Sequence, residues 1–108
     1  WAVQTGPLIK ENNQYLSFES ETDKAARRML ATVTGDNEVI FITIYNPNSF
    51  FDGPKLSQVA DLIKKFEDQT EILFADIINL DGGSASAFYG VNTTLKEISP
   101  VGSLFCVK

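Results

Sequence analysis

Apolar positions along the chain form short runs that are separated by polar turns. Strands are predicted at residues 15–18, 30–34, 38–45, 72–80, 88–89 and 103–107. Polar segments at residues 10–14 and 35–37 predict hairpin turns, and residues 90–93 predict a further turn. The run at residues 38–45 is almost continuously apolar, which is typical of a strand buried on both faces at the centre of a sheet.

One segment has helical periodicity instead. Its apolar residues recur three or four positions apart, on one face of a helix that begins near Pro54 or Ser57 and ends near residue 68. These face residues are Leu56, Val59, Ala60, Ile63 and Phe66. Pro54 suits a first helical turn, and Ser57 is an alternative N-cap.

Many strands and one helix predict an α+β fold, with a mixed β-sheet and the principal helix packed on one face. The strand at residues 38–45, the helix and the strand at residues 72–80 are expected to form a right-handed βαβ unit. That arrangement places Asp81 at the carboxyl end of a central strand, where ligands of such sheets tend to bind.

Composition limits the classes of function. A chain of 108 residues, with 44% hydrophobic and 21% charged residues, is ordinary for one folded domain. Its net charge of −5 argues against nucleic-acid binding by phosphate neutralisation. No apolar run reaches the roughly 18 residues that a membrane span needs. Because the chain starts on Trp1, residues upstream of it are expected to be missing or cleaved off.

The chain has no histidine and one cysteine, Cys106. This excludes His-ligated or multi-cysteine metal sites, and Ser-His or Cys-His nucleophiles, built from this chain alone. Neither a metal nor a cofactor is expected. Cys106 lies in an apolar run and is predicted to be a small buried residue. Catalysis, if present, must use carboxylates, Arg, Lys, hydroxyls or backbone amides.

The sequence Asp81-Gly82-Gly83-Ser84-Ala85-Ser86 follows directly on an apolar run rich in β-branched residues. It predicts a buried strand that ends in a polar loop. Glycine allows close approach of the backbone to a ligand, and consecutive N–H groups can line an anion site. The alternative is an ordinary tight turn in which Asp81 caps local N–H groups.

Three separated motifs together resemble the phosphodiester glycosidase family. They are Gln4-Thr5-Gly6-Pro7, an arginine, Arg28, that opens a strand followed by a hairpin and an apolar strand, and Asn79-Leu80-Asp81-Gly82-Gly83. Their order and spacing agree with the family, and residues 98–105 resemble its final strand. The resemblance covers the whole chain but only about the carboxyl-terminal half of the family domain.

The resemblance implies a glycosidase-type hydrolase that cleaves a sugar from a sugar-phosphate diester, located outside the cytoplasm or secreted. Arg28 would bind phosphate through its planar fork, and Asp81 would act near the anomeric carbon as general base or electrostatic stabiliser. Substrate-binding roles are implied for Gln4, Thr5, Gly6, Asn79, Gly82, Gly83, Ser84 and Ser86.

Departures from the family keep other functions open. Met29 stands where the family usually has a small hydroxyl residue, and Thr32 stands where it usually has a glycine. Ala85 lacks a hydroxyl that family members often present at that position. No second carboxylate is identified, since Asp76 should face the other side of a regular strand. The alternatives are a non-catalytic module that binds carbohydrate or phosphoglycan, and a half-domain that needs its missing amino-terminal half, a partner chain or self-association.

Overall fold

A five-stranded sheet with one helix packed against it forms the body of the protein. The computed structural model describes residues 5–108. The strands are β1 (Leu8–Glu11), β2 (Gln14–Tyr15), β3 (Arg28–Thr34), β4 (Val39–Ile44) and β5 (Phe74–Gly82), and the helix is α1 (Leu56–Thr70). A 3₁₀ turn at Gly83–Ala85 and the small hairpin β6 (Phe88–Tyr89) and β7 (Thr94–Leu95) follow β5. The predicted α+β class and the single principal helix are confirmed.

The sheet order is β2-β1-β5-β3-β4, and every pair of neighbouring strands is antiparallel. Two of the predicted turns close tight hairpins. Asn12 and Asn13 join β1 to β2 with φ angles of 49° and 66°, values typical of a type I′ turn. The turn from β3 to β4 has Asn37 at φ 63°. Asparagine tolerates this left-handed region because its short polar side chain can bond locally.

The apolar face of α1 packs on the sheet. Leu56, Val59 and Ile63 are buried and form one core cluster with residues of β1, β3 and β5, as the periodicity predicts. Phe66, however, is 40% exposed and stacks on Phe74 with ring centroids 6.1 Å apart. The buried position in that turn belongs to a charged residue, Glu67.

Glu67 is the centre of a buried polar network that fixes the end of α1 to the sheet. Its Oε1 accepts from Lys10 Nζ at 2.7 Å and from the Phe74 N–H at 2.9 Å, and its Oε2 accepts from the Tyr15 hydroxyl at 2.7 Å. Burial alone would raise the pKa of Glu67, but these donors outweigh it and hold the pKa below its ordinary value. Burial and the adjacent carboxylate raise the pKa of Tyr15.

The expected central position of the fourth strand is wrong. Among the described residues β4 is an edge strand, and Val39 is 62% exposed. An apolar run does not reveal how many neighbours a strand has, so it does not distinguish an edge from a centre. The strands of the expected βαβ unit, β4 and β5, run parallel in the same sheet and are joined through α1, but β3 lies between them and pairs antiparallel with both.

The carboxyl-terminal segment also differs from the expectation. Residues 103–107 form no strand, and β6 pairs instead with β7 through the predicted turn, where the Gly90 N–H donates to Thr93 O at 2.8 Å. Cys106 is exposed, not buried. The apolar run ends in a tail that lies on the surface, where the Phe105 ring is 5.4 Å from Phe41 of β4.

Candidate active site

A cavity of about 560 Å³ lies at the carboxyl end of β5. Residues 5–6, 18–28 and 79–83, which are distant in the sequence, line it together with Leu56. The predicted site residues in its wall are Thr5, Gly6, Arg28, Asn79, Asp81, Gly82 and Gly83. Sequence reasoning missed other lining residues, among them Phe18, Asp23, Lys24 and Leu56.

A β-bulge explains how four consecutive residues of β5, from 79 to 82, all line one cavity. In a regular strand, successive side chains point to opposite faces. Here Leu30 of β3 is opposite Asn79, whereas Arg28, two residues earlier, is opposite Gly82, so β5 has one extra residue at this point. Bulges re-aim side chains and are common beside active sites. The bulge therefore brings Asp81 to the cavity that Asn79 and Gly82 also line.

The segment at residues 5–7 is attached to β5 by hydrogen bonds around Asn79. The Thr5 hydroxyl donates to Asn79 O at 2.9 Å, and the Asn79 N–H donates to Pro7 O at 3.0 Å. The side-chain amide Nδ2 of Asn79 donates to Gly6 O at 3.1 Å. These bonds place residues 5–7, which belong to the Gln4–Pro7 motif, beside Asn79, the first residue of the Asn79–Gly83 motif.

Arg28 is the first residue of β3 and is directly opposite Gly82 in the register. Its Nε donates to Pro54 O at 3.0 Å, and Nη2 donates to Lys24 O and lies 3.5 Å from Asp23 Oδ1. Among the described residues, no acceptor binds Nη1. The guanidinium is therefore held in place by the protein while part of its fork is still available to an anion in the cavity.

Asp81 and the two glycines after it line the cavity beside Arg28, because Gly82 pairs with Arg28 across the two strands. Asp81 is exposed, and its Oδ1 accepts from the Gly82 N–H at 2.8 Å. A Cβ on Gly82 would lie 2.4 Å from the carbonyl oxygen of Arg27, so only glycine fits between these strands. Gly83 has φ 62°, in the region that glycine adopts without strain.

Asp23 is the second carboxylate that lines the cavity. It also caps the start of α1, although it is far from the helix along the sequence. Oδ1 accepts from the Leu56 N–H at 2.8 Å and Oδ2 from the Ser57 N–H at 3.0 Å. Hydrogen bonds from Ser57, then from Leu56, together with Arg28, hold the pKa of Asp23 below its ordinary value. The N-cap position itself is Lys55. No local signal identifies Asp23 as a helix cap, because the N–H groups that it accepts from are more than 30 residues away along the chain.

Three residues considered from the sequence, Ser84, Ser86 and Asp76, are not in the cavity wall. A fourth, Gln4, is outside the described residues. Ser84 Oγ lies 3.0 Å from Ser99 Oγ, and buried Ser86 donates to Gly83 O at 2.8 Å, so both hydroxyls are engaged within the protein. Asp76 accepts from the Asn12 N–H at 2.8 Å, at the β1–β2 turn.

Within residues 5–108, no three acidic, histidine or cysteine side chains are grouped in a way that would hold a metal ion. No helix in the same range is long and apolar enough to span a membrane.

A comparison with models of known protein families identifies the family of the chain. The family model described as phosphodiester glycosidase matches residues 1–108. The protein therefore belongs to the phosphodiester glycosidase family, and its general function is of the glycosidase type. No curated protein and no solved structure matches the chain.

Proposed function

We propose that the cavity is part of the active site of a hydrolase that cleaves a sugar from a sugar-phosphate diester. One observation carries the proposal: segments around Thr5, Arg28 and Asp81, far apart in the sequence, meet at one cavity. Membership of the phosphodiester glycosidase family supports a glycan-type substrate. The cavity offers a cation for phosphate and a carboxylate for the sugar side by side.

The reaction breaks the bond between the anomeric carbon and a phosphate oxygen. Water adds to the anomeric carbon and loses a proton, and the bonding electrons leave with the phosphomonoester. Because this leaving group is already a stable anion, it needs less protonation than the alcohol leaving group of an ordinary glycoside. The main tasks of the site are to hold the phosphate and to stabilise an oxocarbenium-like centre.

Arg28 is suited to the phosphate. Its fork is oriented by Pro54 O and by Asp23, while Nη1 donates to no acceptor among the described residues. Lys24 lines the same cavity and adds a second positive charge. The amides of Gly82 and Gly83 are engaged by Asp81 Oδ1 and Arg27 O, so an anionic oxygen would share or replace those bonds.

Asp81 is suited to the anomeric centre. Its Oδ1 is occupied by the Gly82 N–H, which orients the carboxylate, and its Oδ2 accepts no hydrogen bond from the described residues. A carboxylate held in this way can take a proton from water or stabilise positive charge at the sugar. Asp23, with both oxygens bonded to the start of α1, is instead committed to structure.

Turnover of a defined substrate tests the proposal. The full chain is incubated with a set of sugar 1-phosphate diesters that differ in the sugar, and release of the phosphomonoester is measured. The proposal expects hydrolysis of at least one diester, with the sugar and the phosphomonoester released in equal amounts. Absence of turnover across the set, from a folded and monodisperse sample, would contradict it.

A second candidate, a non-catalytic phosphoglycan-binding module, is favoured by the state of Asp23. With that carboxylate bonded to two helix N–H groups, the described part of the cavity has one open carboxylate, Asp81, whereas most glycosidases use two. Titration calorimetry with the same diesters separates the candidates. Binding without turnover by the wild-type chain would favour the module, and binding with turnover would favour the hydrolase.

A further inference from the structure

The arginine beside Arg28 is buried completely. Arg27 has 0% exposure, although it is adjacent in sequence to a residue that lines the cavity. Within the described part of the chain no carboxylate forms an ion pair with it. Burial lowers the pKa of Arg27, and the more distant charge of Glu97 opposes this shift. Burying a cation without a direct counter-ion costs free energy of folding. The hydrogen bonds of the Arg27 guanidinium must compensate for this cost, and they show which parts of the protein it holds.

The Arg27 side chain donates only to neutral oxygens, and they come from three separate segments. Nε donates to Ser86 Oγ at 2.9 Å, and Nη2 donates to Gly83 O at 3.3 Å and to Ser86 O. Nη2 also donates to Lys96 O at 3.0 Å, and Nη1 to Phe50 O at 3.2 Å. A planar fork with five N–H donors can hold the 3₁₀ turn at both ends and tie it to its two neighbours.

The same residue also holds the turn through its backbone. The Gly83 N–H donates to Arg27 O at 2.9 Å, and that oxygen is the atom against which a Cβ on Gly82 would collide. Gly83 O, in turn, accepts from the Arg27 side chain and from the Ser86 hydroxyl. Both sides of the Gly83 residue are thus fixed by Arg27, while Gly83 itself lines the cavity.

We propose that Arg27 is a positioning residue that fixes the Gly82–Ser86 turn, and with it the cavity wall that carries Asp81 and the glycine amides. Its role in turnover rests on the proposed function. Lysine in its place would keep the charge but would lose the fork, because a single ammonium cannot reach oxygens of three segments in one plane. The Phe51 ring packs against the guanidinium of Arg27, with the ring centroid 4.8 Å from the guanidinium carbon.

The first test compares Arg27→Lys and Arg27→Met with a matched control, Lys10→Met. Lys10 is also buried and charged, but it belongs to the Glu67 network and not to the cavity. The inference expects both Arg27 variants to lower kcat by about 10²-fold per folded molecule, the loss typical of a site displaced by about 1 Å. KM should change much less. Lys10→Met, at a similar drop in melting temperature, should keep the wild-type kcat. Equal kcat for Arg27→Lys and wild type would overturn the inference.

Hydrogen exchange gives a readout that does not depend on turnover. The Ile98 and Ser99 N–H groups donate to Ser84 O, at 2.9 and 3.0 Å, so their exchange reports on the position of the turn. Arg27→Lys should accelerate exchange at Gly83, Ile98 and Ser99 at least tenfold relative to the exchange of the β3 amides. Lys10→Met should not. Unchanged relative exchange in Arg27→Lys would overturn the inference, whereas a lack of turnover in the wild type with accelerated exchange would sustain it and refute only the proposed function.

Discussion

At the scale of single residues, two adjacent arginines have different environments. Arg28 lines the cavity, whereas Arg27 is buried behind the turn that follows β5. The sequence identifies Arg28 through its resemblance to a family motif. It does not identify the environment of Arg27, because the acceptors of that guanidinium come from residues 50, 83, 86 and 96. Long-range hydrogen bonds of this kind leave no local pattern.

The close approach of two backbones at Gly82 leads to a prediction on stability. Gly82→Ala should destabilise the protein by about 1–3 kcal/mol, because the new Cβ would lie 2.4 Å from Arg27 O and the strands must move apart. Gly35→Ala is the matched control, since a Cβ there meets no atom within 4 Å. Urea unfolding of both variants measures the difference. Equal stability of the two would contradict the tight packing at Gly82.

At the scale of elements, local signals were sufficient for the hairpins and for the helix but not for strand order. Turn residues and periodicity act over a few positions, and α1, the turn between β1 and β2 and the β3–β4 hairpin are present as predicted, whereas the strand β1 was not predicted. The pairing of β5 between β1 and β3 depends on contacts 40 or more residues apart, which periodicity does not encode. For the same reason β4 was predicted at the centre and lies at the edge.

The start of α1 depends on Asp23, and this dependence predicts a pH effect. Because the folded state lowers the pKa of Asp23 below its ordinary value near 3.8, the stabilisation is fully present above that value. It is lost as the pH falls through the folded pKa, since the unfolded chain takes up the proton first. Asp23→Asn should flatten the loss of stability below about pH 4. Urea unfolding from pH 2 to 6 measures it, and parallel profiles for variant and wild type would contradict the capping role.

The end of α1 depends on Glu67. Glu67→Gln leaves the Lys10 ammonium buried without a counter-charge, so the free energy of unfolding should fall by about 3–5 kcal/mol. Asp68→Asn changes an exposed carboxylate on the next residue and should stay within about 0.5 kcal/mol of wild type. Thermal and chemical unfolding compare the two variants. A loss for Glu67→Gln no larger than that of the control would show that the pair contributes nothing net.

At the scale of the whole molecule, the outer edge of β4 is open within the described residues. This edge is apolar, and natural proteins usually protect such strands. The half-domain interpretation therefore predicts that the 108-residue chain alone self-associates, and that Val39→Lys, at a position 62% exposed, reduces this. Light scattering at several concentrations measures it. A clean wild-type monomer would weigh against the interpretation.

The parts of the cavity were predicted in the sequence, whereas the way they meet was not. Thr5, Arg28 and Asp81 were singled out from motifs, and the structure places them around one cavity. The bulge in β5 and the cap by Asp23 were not foreseen, because both arise from pairing between distant segments. Whether the assembled cavity is catalytic depends on Asp81.

The most direct measurement is therefore kcat/KM of Asp81→Asn on a sugar 1-phosphate diester that the wild-type chain hydrolyses, with Asp76→Asn as the matched control on the same strand. The proposed role of Asp81 predicts a loss of about 10²–10⁴-fold, the usual contribution of a general base, with an unchanged melting temperature. The Asp76 carboxylate bonds to the β1–β2 turn and not to the cavity, so Asp76→Asn should retain wild-type turnover. Turnover by Asp81→Asn at the wild-type rate would contradict the central claim.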